Sequence, residues 1–148
     1  MATKVKPIPD GFHTATPYLL VNDGDKQIAF LKRAFGAAEV HVSRHPGGSF
    51  MHGEVKIGDS MIMIGQSRDN WKAMPAMIYL YVEDVDRTFR QAISAGGKTV
   101  REVKTEFYGD RSGGVEDLCG NTWWISTHVE DVSHEELERR FAAMGQQH

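Results

Sequence analysis

Apolar and polar side chains recur along the chain with two periods, and these periods predict its secondary structure. Alternation at every second residue is typical of a half-buried strand, whereas recurrence at three and four residues is typical of an amphipathic helix. The helical period occupies residues 26–35, with Asp23 or Asp25 as the N-terminal cap and Gly36 as the stop. Strands are predicted around this helix at 16–21, 39–45, 50–57 and 60–64.

The same order of elements returns in the second half of the chain. A shift of 61 residues superimposes the cap Asp23 on Asp84 and the stop Gly36 on Gly97. The second helix is therefore predicted to begin at Asp84 or Asp86 and to end at the following pair of glycines. Strands are predicted at 77–82, 99–103, 113–117 and 122–127.

Two βαβββ modules make up the predicted architecture. The first spans residues 12–66 and the second 76–128, and Ser133 caps a final helix over 133–144; all belong to a single domain, 1–148. The predicted fold class is α+β, with the helices outside and the mixed curled β-sheets of the two modules around a cavity. Because such a small module has little core and its strand edges need cover, we expect a second module to complete the cavity and a homodimer to form.

The composition limits the kinds of partner and the cellular location that are expected for this chain. Hydrophobic residues are 41% and charged residues 25% of the chain, and the net charge is −3. The lack of a basic block argues against nucleic acid, and no apolar run approaches the roughly 20 residues that span a membrane. Residues 1–10 lack the apolar segment of a signal peptide, which predicts a cytoplasmic location. The single cysteine, Cys119, excludes an intrachain disulfide.

Four segments carry a resemblance to a known family. They are TPYLLVNDGDKQIAFLKRAFGAAEV, MHGEVKIGDSMIMI, LYVEDVDRTFRQAISAGGKTV and FYGDRSGGVEDLCGNTWWISTHVEDVSHEEL. In this order they resemble the vicinal-oxygen-chelate superfamily, which includes glyoxalases and bleomycin-resistance proteins. The last segment is similar to the PhnB-like branch in particular. The resemblance covers residues 12–137 and implies curled sheets around a cavity, commonly in a dimer whose modules can pair across chains.

The resemblance also implies where a metal would bind. Enzymes of this superfamily place His or Glu ligands on the first and fourth strands of their modules. Those positions fall here on Thr16, Met77, Ile62 or Met63, and Trp124. Since these side chains lack the donor set of a Zn²⁺ or Mn²⁺ site, no glyoxalase-type metal and no cofactor are expected.

Candidate ligand-binding residues come from strand alternation and from the family-like closing segment. His52 and Glu54 lie two residues apart on one strand, so both are expected to face the cavity. Trp124 replaces a metal ligand of the relatives, which suggests stacking on an aromatic ligand. Arg111 belongs to a segment that resembles the family's loop at the cavity mouth, where its two-donor fork suits an anion. Tyr108 is expected near the same mouth.

Three functions remain open at this point. The first is a metal-free small-molecule-binding protein of the bleomycin-resistance type, with an aromatic or amphipathic ligand. It is favoured because the positions of the metal ligands carry side chains that do not bind Zn²⁺ or Mn²⁺. The second is a metal-dependent lyase, isomerase or dioxygenase whose displaced metal lies near His52 and Glu54. The third is an acid–base enzyme with Asp110 or Glu54 as base and Arg111 as the stabilising charge. We favour a structural pair of Asp110 and Arg111 that holds the loop in place, so no catalytic residue is assigned.

Overall fold

A computed structural model describes residues 4–145 of the chain. The order β-α-β-β-β occurs twice and a third helix follows. The first module contains β1 (Tyr18–Val21), α1 (Gly24–Phe35), β2 (Ala38–Arg44), β3 (Phe50–Ile57) and β4 (Ser60–Gln66). The second contains β5 (Met77–Tyr81), α2 (Val85–Ser94), β6 (Lys98–Thr105), β7 (Asp110–Glu116) and β8 (Thr122–His128), and it is followed by α3 (His134–Gly145).

Each module forms one mixed four-stranded sheet, which confirms the predicted α+β fold. The strand orders are β1-β4-β3-β2 and β5-β8-β7-β6, with the first and last strands of each module parallel. Tyr18 lies opposite Met63 in the first sheet, and Tyr79 lies opposite Trp124 in the second. This equivalent register makes Met63, rather than Ile62, the counterpart of Trp124.

The helix caps settle the alternatives that the repeat left open. The side chains of Asp23 and Asp84 each accept a hydrogen bond from the backbone N–H three residues further on, at 3.0 and 3.2 Å. Asp25 and Asp86 lie in the first turns, where a carboxylate interacts favourably with the helix dipole, and each also pairs with an arginine. Gly36 ends α1 with a φ of 66°, which a residue with a Cβ rarely adopts.

Strand β7 is longer than its sequence pattern predicts, and this changes the role of its first residues. The pattern predicts a start at residue 113, whereas the strand begins at Asp110, directly after a turn at Gly109. Gly109 has a φ of 99°, and a Cβ there would lie 2.1 Å from the carbonyl oxygen of Glu130. Asp110 and Arg111 are therefore consecutive strand residues, and their side chains point to opposite faces of the sheet.

The two modules are joined through their helix sides. Helices α1 and α2 pack against each other, and their apolar residues share one continuous core with the covered faces of both sheets. The ring of Phe35 at the end of α1 lies 5.1 Å from that of the fully buried Trp123 on β8. As expected from alternation, Trp123 packs beneath the helices.

A buried polar cluster stabilises the junction between the two modules. The carboxylate of Asp117, after β7, accepts hydrogen bonds from Gln27 Nε2 of α1 and from Trp123 Nε1, both at 2.8 Å. It also accepts the backbone N–H groups of Cys119 and Asn121 at 2.8 and 2.9 Å. The Asn121 amide closes the cluster by donating to Gln27 Oε1 at 2.9 Å. Four donors thus depend on one buried carboxylate that links the modules.

The opposite faces of both sheets are open within one chain. Tyr18 on the first sheet is 52% exposed, and Met77 and Tyr81 on the second are 69% and 64% exposed. The sequence predicted helices on the outside and a cavity between the inner faces of the sheets. The structure instead places both helices in the shared core, because the Asp117 cluster joins the modules by their helix sides.

No helix in the described part of the chain is long and apolar enough to cross a membrane.

The Asp117 cluster leads to a stability prediction. Replacing Asp117 with alanine leaves buried donors without an acceptor, and each such donor costs about 1–3 kcal/mol. We expect Asp117→Ala to lower the free energy of unfolding by at least about 3 kcal/mol, measured by urea denaturation. Asp10→Ala, which removes an exposed carboxylate paired with Lys6, is the control and is expected to change it by less than about 0.5 kcal/mol. Equal effects of the two variants would contradict the linking role of Asp117.

Candidate functional site

The open face of the first sheet carries a small polar group centred on His52. His52 Nδ1 lies 3.5 Å from the hydroxyl of Tyr18, and Nε2 lies 3.6 Å from Glu54 Oε1. Both His52 and Glu54 are about three-quarters buried. The neighbouring Val55 is in the core, so strand alternation directs the side chains of His52 and Glu54 away from the helices. Gly65 lies beneath Tyr18, since a Cβ at that position would be 2.3 Å from the phenol oxygen.

The open face of the second sheet carries Trp124. Its ring lies across strand β7 at Gly114, where an added Cβ would come within 2.8 Å of the indole. The guanidinium carbon of Arg101 lies 5.0 Å from the centroid of the same ring. Arg101 is held there by hydrogen bonds to the carbonyl and hydroxyl of Ser112, at 2.5 and 2.7 Å, and by an ion pair with Glu106. Sequence reasoning missed Arg101, because a bulged register in β6 hides which face it occupies.

A second group on this face surrounds the buried carboxylate of Asp110. Asp110 Oδ2 accepts hydrogen bonds from the hydroxyls of Tyr79 and Tyr81 at 2.8 and 2.9 Å, and Oδ1 is 2.8 Å from His128 Nδ1. His128 Nε2 is in turn 2.7 Å from Asp131 Oδ1. Two tyrosines at alternate positions of β5 were a signal in the sequence that they share a face. Their common acceptor lies far along the chain, and the sequence contains no sign of that contact.

The hydrogen bonds of this group shift its pKa values. Burial of the Asp110 carboxyl works against its ionisation, but the hydrogen bonds from His128, Tyr79 and Tyr81 prevail and hold its pKa below the usual range. The hydrogen bond to Asp110, followed by that to Asp131, raises the pKa of His128. Burial raises the pKa of Tyr79, and hydrogen bonding to Asp110 and Tyr108 adds to the increase. Both phenols therefore stay protonated and act as donors to Asp110.

Arg111 does not lie where the sequence placed it. It was expected to line the same cavity as Trp124, but its side chain points to the helix side of the second sheet. There its Nε and one terminal nitrogen donate to both carboxylate oxygens of Asp86, at 2.9 and 2.8 Å. The physical reason is the start of β7 at Asp110, which gives Asp110 the open face and Arg111 the opposite one. Arg111 forms a structural pair as the alternative proposed, although with Asp86 instead of Asp110.

The remaining predicted residues fall into two separate sets. His52 and Glu54 occupy the open face of the first sheet, whereas Trp124 occupies that of the second, with Tyr108 near Tyr79. Within residues 4–145, no hydrogen bond, ion pair or ring contact joins the first set to the second. The helix-side junction of the modules keeps the two faces from meeting in one chain.

Comparison with known proteins identifies the family. The model of the Glyoxalase/Bleomycin resistance protein/Dioxygenase superfamily matches residues 12–125. The chain belongs to this superfamily. Among curated proteins, it is 29% identical to an uncharacterised protein of Mycobacterium bovis, over 98% of this chain and 99% of that protein. An uncharacterised protein of Mycobacterium tuberculosis is also 29% identical, over 98% of this chain and 88% of its own length.

Solved structures of other proteins have the same fold. TioX from Micromonospora sp. ML1 has a TM-score of 0.67 and 24% identity, covering 77% of this chain and 97% of its own. The genomically encoded fosfomycin resistance protein FosX from Listeria monocytogenes has a TM-score of 0.61 and 18% identity, covering 84% and 97%. At these identities the likeness shows the fold alone.

The positions that hold metal ligands in enzymes of the superfamily have a different chemistry here. They fall on Thr16, just before β1, on Met77 at the start of β5 and, by the strand register, on Met63 and Trp124 of the fourth strands. Hydroxyl, thioether and indole groups do not form the nitrogen and carboxylate set of a Zn²⁺ or Mn²⁺ site. Among residues 4–145, no three His, Cys, Asp or Glu side chains converge in a way that could hold a metal ion. These residues therefore do not fit the superfamily's metal centre.

The Asp110 group generates a prediction about pH. The pKa of His128 is raised in the folded protein. Protonated His128 therefore stabilises the fold fully below about pH 6.5, the ordinary pKa of histidine, and this stabilisation is lost as the pH rises through the pKa of the folded protein. An NMR titration of the His128 ring is expected to give a midpoint above about 6.5. Asp110→Asn is expected to lower that midpoint more than Asp131→Asn, since the Asp110 hydrogen bond is the larger cause. A midpoint that does not respond to Asp110→Asn would refute this account.

Proposed function

We propose that this protein is a metal-free small-molecule-binding protein of the bleomycin-resistance/glyoxalase-like type. The observation that carries the proposal is the replacement of the metal-ligand positions by aromatic and apolar side chains on open sheet faces. Trp124 stands on one such face with Tyr79 opposite it, and Met63 stands on the other with Tyr18 opposite it. Aromatic and apolar walls with a few fixed polar groups are typical of small-molecule sites.

The proposed ligand is an aromatic or amphipathic molecule that contacts Trp124. Stacking on an indole contributes about 1 kcal/mol beyond the burial of apolar area. Tyr79, Tyr81 and Tyr108 add aromatic surface, and Asp110 orients the first two by accepting hydrogen bonds from their hydroxyl groups. Because Tyr79 and Tyr81 already donate to Asp110, their oxygens can serve a further group only as acceptors, and that of Tyr79 already lies 3.0 Å from Ser126 Oγ.

We further propose that the binding cavity forms between two copies of the chain. Each sheet has an open aromatic face, and the modules of one chain already use their helix sides to join each other. The first sheet of one protomer would cover the second sheet of its partner, and the dimer would contain two such cavities. This arrangement brings His52 and Glu54 of one protomer towards Trp124 of the other. It also accounts for large apolar side chains such as Met77 and Tyr81 being exposed in the single chain.

Membership of the PhnB-like branch and a cytoplasmic location belong to the same proposal. The closing segment, residues 107–137, supports the branch by its resemblance. The net charge of −3 and the absence of a basic block support a small molecule, and not nucleic acid, as the partner.

A second candidate is a metal-dependent lyase, isomerase or dioxygenase with a displaced metal. The observation in its favour is the closeness of His52 and Glu54, at 3.6 Å, on an open face. Two donors from one chain do not complete a metal site, so this candidate also needs ligands from elsewhere. Elemental analysis of dialysed protein distinguishes the two functions. Only the metal-dependent enzyme requires stoichiometric metal in the parent protein, and that metal is expected to be lost in the His52→Ala variant.

The binding role of Trp124 is tested by truncation. After a fluorescence screen of aromatic compounds finds a ligand, Trp124→Ala is expected to weaken its binding by roughly tenfold, because stacking and buried area are lost together. Leu118→Ala is the matched control, since it truncates an exposed apolar side chain in the turn after β7, beside the helix end at Gly96. The assignment is wrong if both variants bind the compound like the parent protein.

The shared cavity is tested by subunit complementation. Sedimentation at tens of micromolar protein is expected to give a dimer. Trp124→Ala and His52→Ala chains, each impaired alone, are then co-expressed with different tags and purified. Purification through both tags selects the mixed dimers, and half of their sites are expected to bind, because one cavity of each mixed dimer contains neither substitution. A monomer, or mixed dimers with no restored binding, would exclude the cavity between protomers.

A further inference from the structure

A groove at one end of the first sheet shares Tyr18 and His52 with the proposed cavity and extends to a turn that the function proposed so far does not use. It has a volume of about 710 Å³ and lies between the open face of that sheet and the segment that leaves β4. Ligand pockets typically measure about 300–1,000 Å³, so a small molecule fits. We call it the Trp71 groove, and its apolar and aromatic walls are Tyr18, Leu20, Phe50, Met51 and Trp71.

The outer wall of the Trp71 groove is a tight turn with fixed geometry. Arg68 and Trp71 exchange two backbone hydrogen bonds, at 2.8 and 2.9 Å, so their side chains are held next to each other. The turn is anchored to β1, because the N–H of Ser67 donates to the carbonyl of Val21 at 2.8 Å. Gln66 also accepts the N–H of Gly24 at the start of α1, at 3.0 Å. The groove is therefore built before any ligand arrives.

The carboxylates that line the groove are already engaged. Asp25 receives two hydrogen bonds from Arg44, at 2.6 and 3.0 Å, and Asp23 accepts a backbone N–H as the cap of α1. Asp69, inside the turn, makes no ion pair with Arg68 within residues 4–145. The charge of Asp25 is thus balanced by Arg44, the carboxylate of Asp23 is directed to the start of α1, and neither pairs with Arg68.

Arg68 is a cation of the groove with which these carboxylates do not pair. Its guanidinium carbon lies 5.5 Å from the centroid of the Trp71 ring, and the guanidinium has no hydrogen-bond or ion-pair partner in the described part of the chain. A planar guanidinium beside an exposed indole can bind an oxyanion through two donors while the indole stacks on the rest of the molecule. His52 and His45 also line the groove, and their polar side chains carry no negative charge that would repel an anion.

We propose that the Trp71 groove binds an aromatic molecule that carries one oxyanion, with the ring on Trp71 and the oxyanion on Arg68. The proposal deepens the proposed function and rests on it, because Tyr18 and His52 belong both to this groove and to the open face of the first sheet. Arg68 thereby takes the anion-binding role for which sequence reasoning had selected Arg111.

Calorimetric titration with a charged probe and its uncharged isostere tests the inference. 2-Naphthoate is expected to bind at least tenfold more tightly than 2-naphthamide, because only the carboxylate gains a charge-assisted bond. Arg68→Gln is expected to reduce naphthoate binding at least tenfold and to leave naphthamide binding unchanged. Trp71→Leu is expected to weaken both probes about fivefold through lost stacking. The control is Arg33→Gln, which removes the same charge from the exposed side of α1 and is expected to stay within twofold of the parent.

The inference is overturned if naphthoate fails to bind at millimolar concentration or binds no better than naphthamide. It is equally overturned if Arg68→Gln and Arg33→Gln have the same effect. Trp124→Ala separates this inference from the proposed function. Naphthoate binding that depends on Trp124 but not on Arg68 supports the shared cavity alone. Binding that depends on Arg68 in a protein that sediments as a monomer supports the groove alone.

Discussion

The buried carboxylate of Asp117 is the contact on which the arrangement of the modules depends. It belongs to the second module, yet one of its four donors is Gln27 from the first helix, and Asn121 returns a hydrogen bond to the same glutamine. Buried polar groups are stable only when they are satisfied, so this cluster permits one packing of α1 against the second module. The surrounding apolar side chains supply most of the stabilisation, and the cluster selects which surfaces they join.

Joining the modules by their helix sides determines where chemistry is possible. Each sheet then buries one face against the helices and leaves the other open, with aromatic side chains standing on it. An exposed aromatic face is typical of a surface that another molecule covers, and this is the basis of the proposed dimer. The same constraint separates His52 from Trp124 within one chain, because each stands on the open face of a different sheet.

Two neighbouring residues show how strand position decides chemical role. Asp110 and Arg111 are adjacent in sequence and oppositely charged, but β7 begins at Asp110 and turns their side chains to opposite faces. Asp110 gathers Tyr79, Tyr81 and His128 on the open face, and Arg111 locks onto Asp86 at the start of α2. The charge that we propose for an anionic ligand lies instead in the turn after β4, where Arg68 has no carboxylate partner within the described residues.

Local sequence signals determined the repeated modules, the positions of the helix stops and the sheet faces of His52, Glu54 and Trp123. Those features depend on periods of two and 3.6 residues and on glycine's backbone freedom, which act over a few residues and are visible in the chain itself. Tertiary structure alone decided that the helices lie in a shared core, that Arg111 leaves the open face, and that Asp110 collects its partners. Each of these depends on contacts between residues 18 to 94 positions apart, and such pairings arise from packing that no local pattern records.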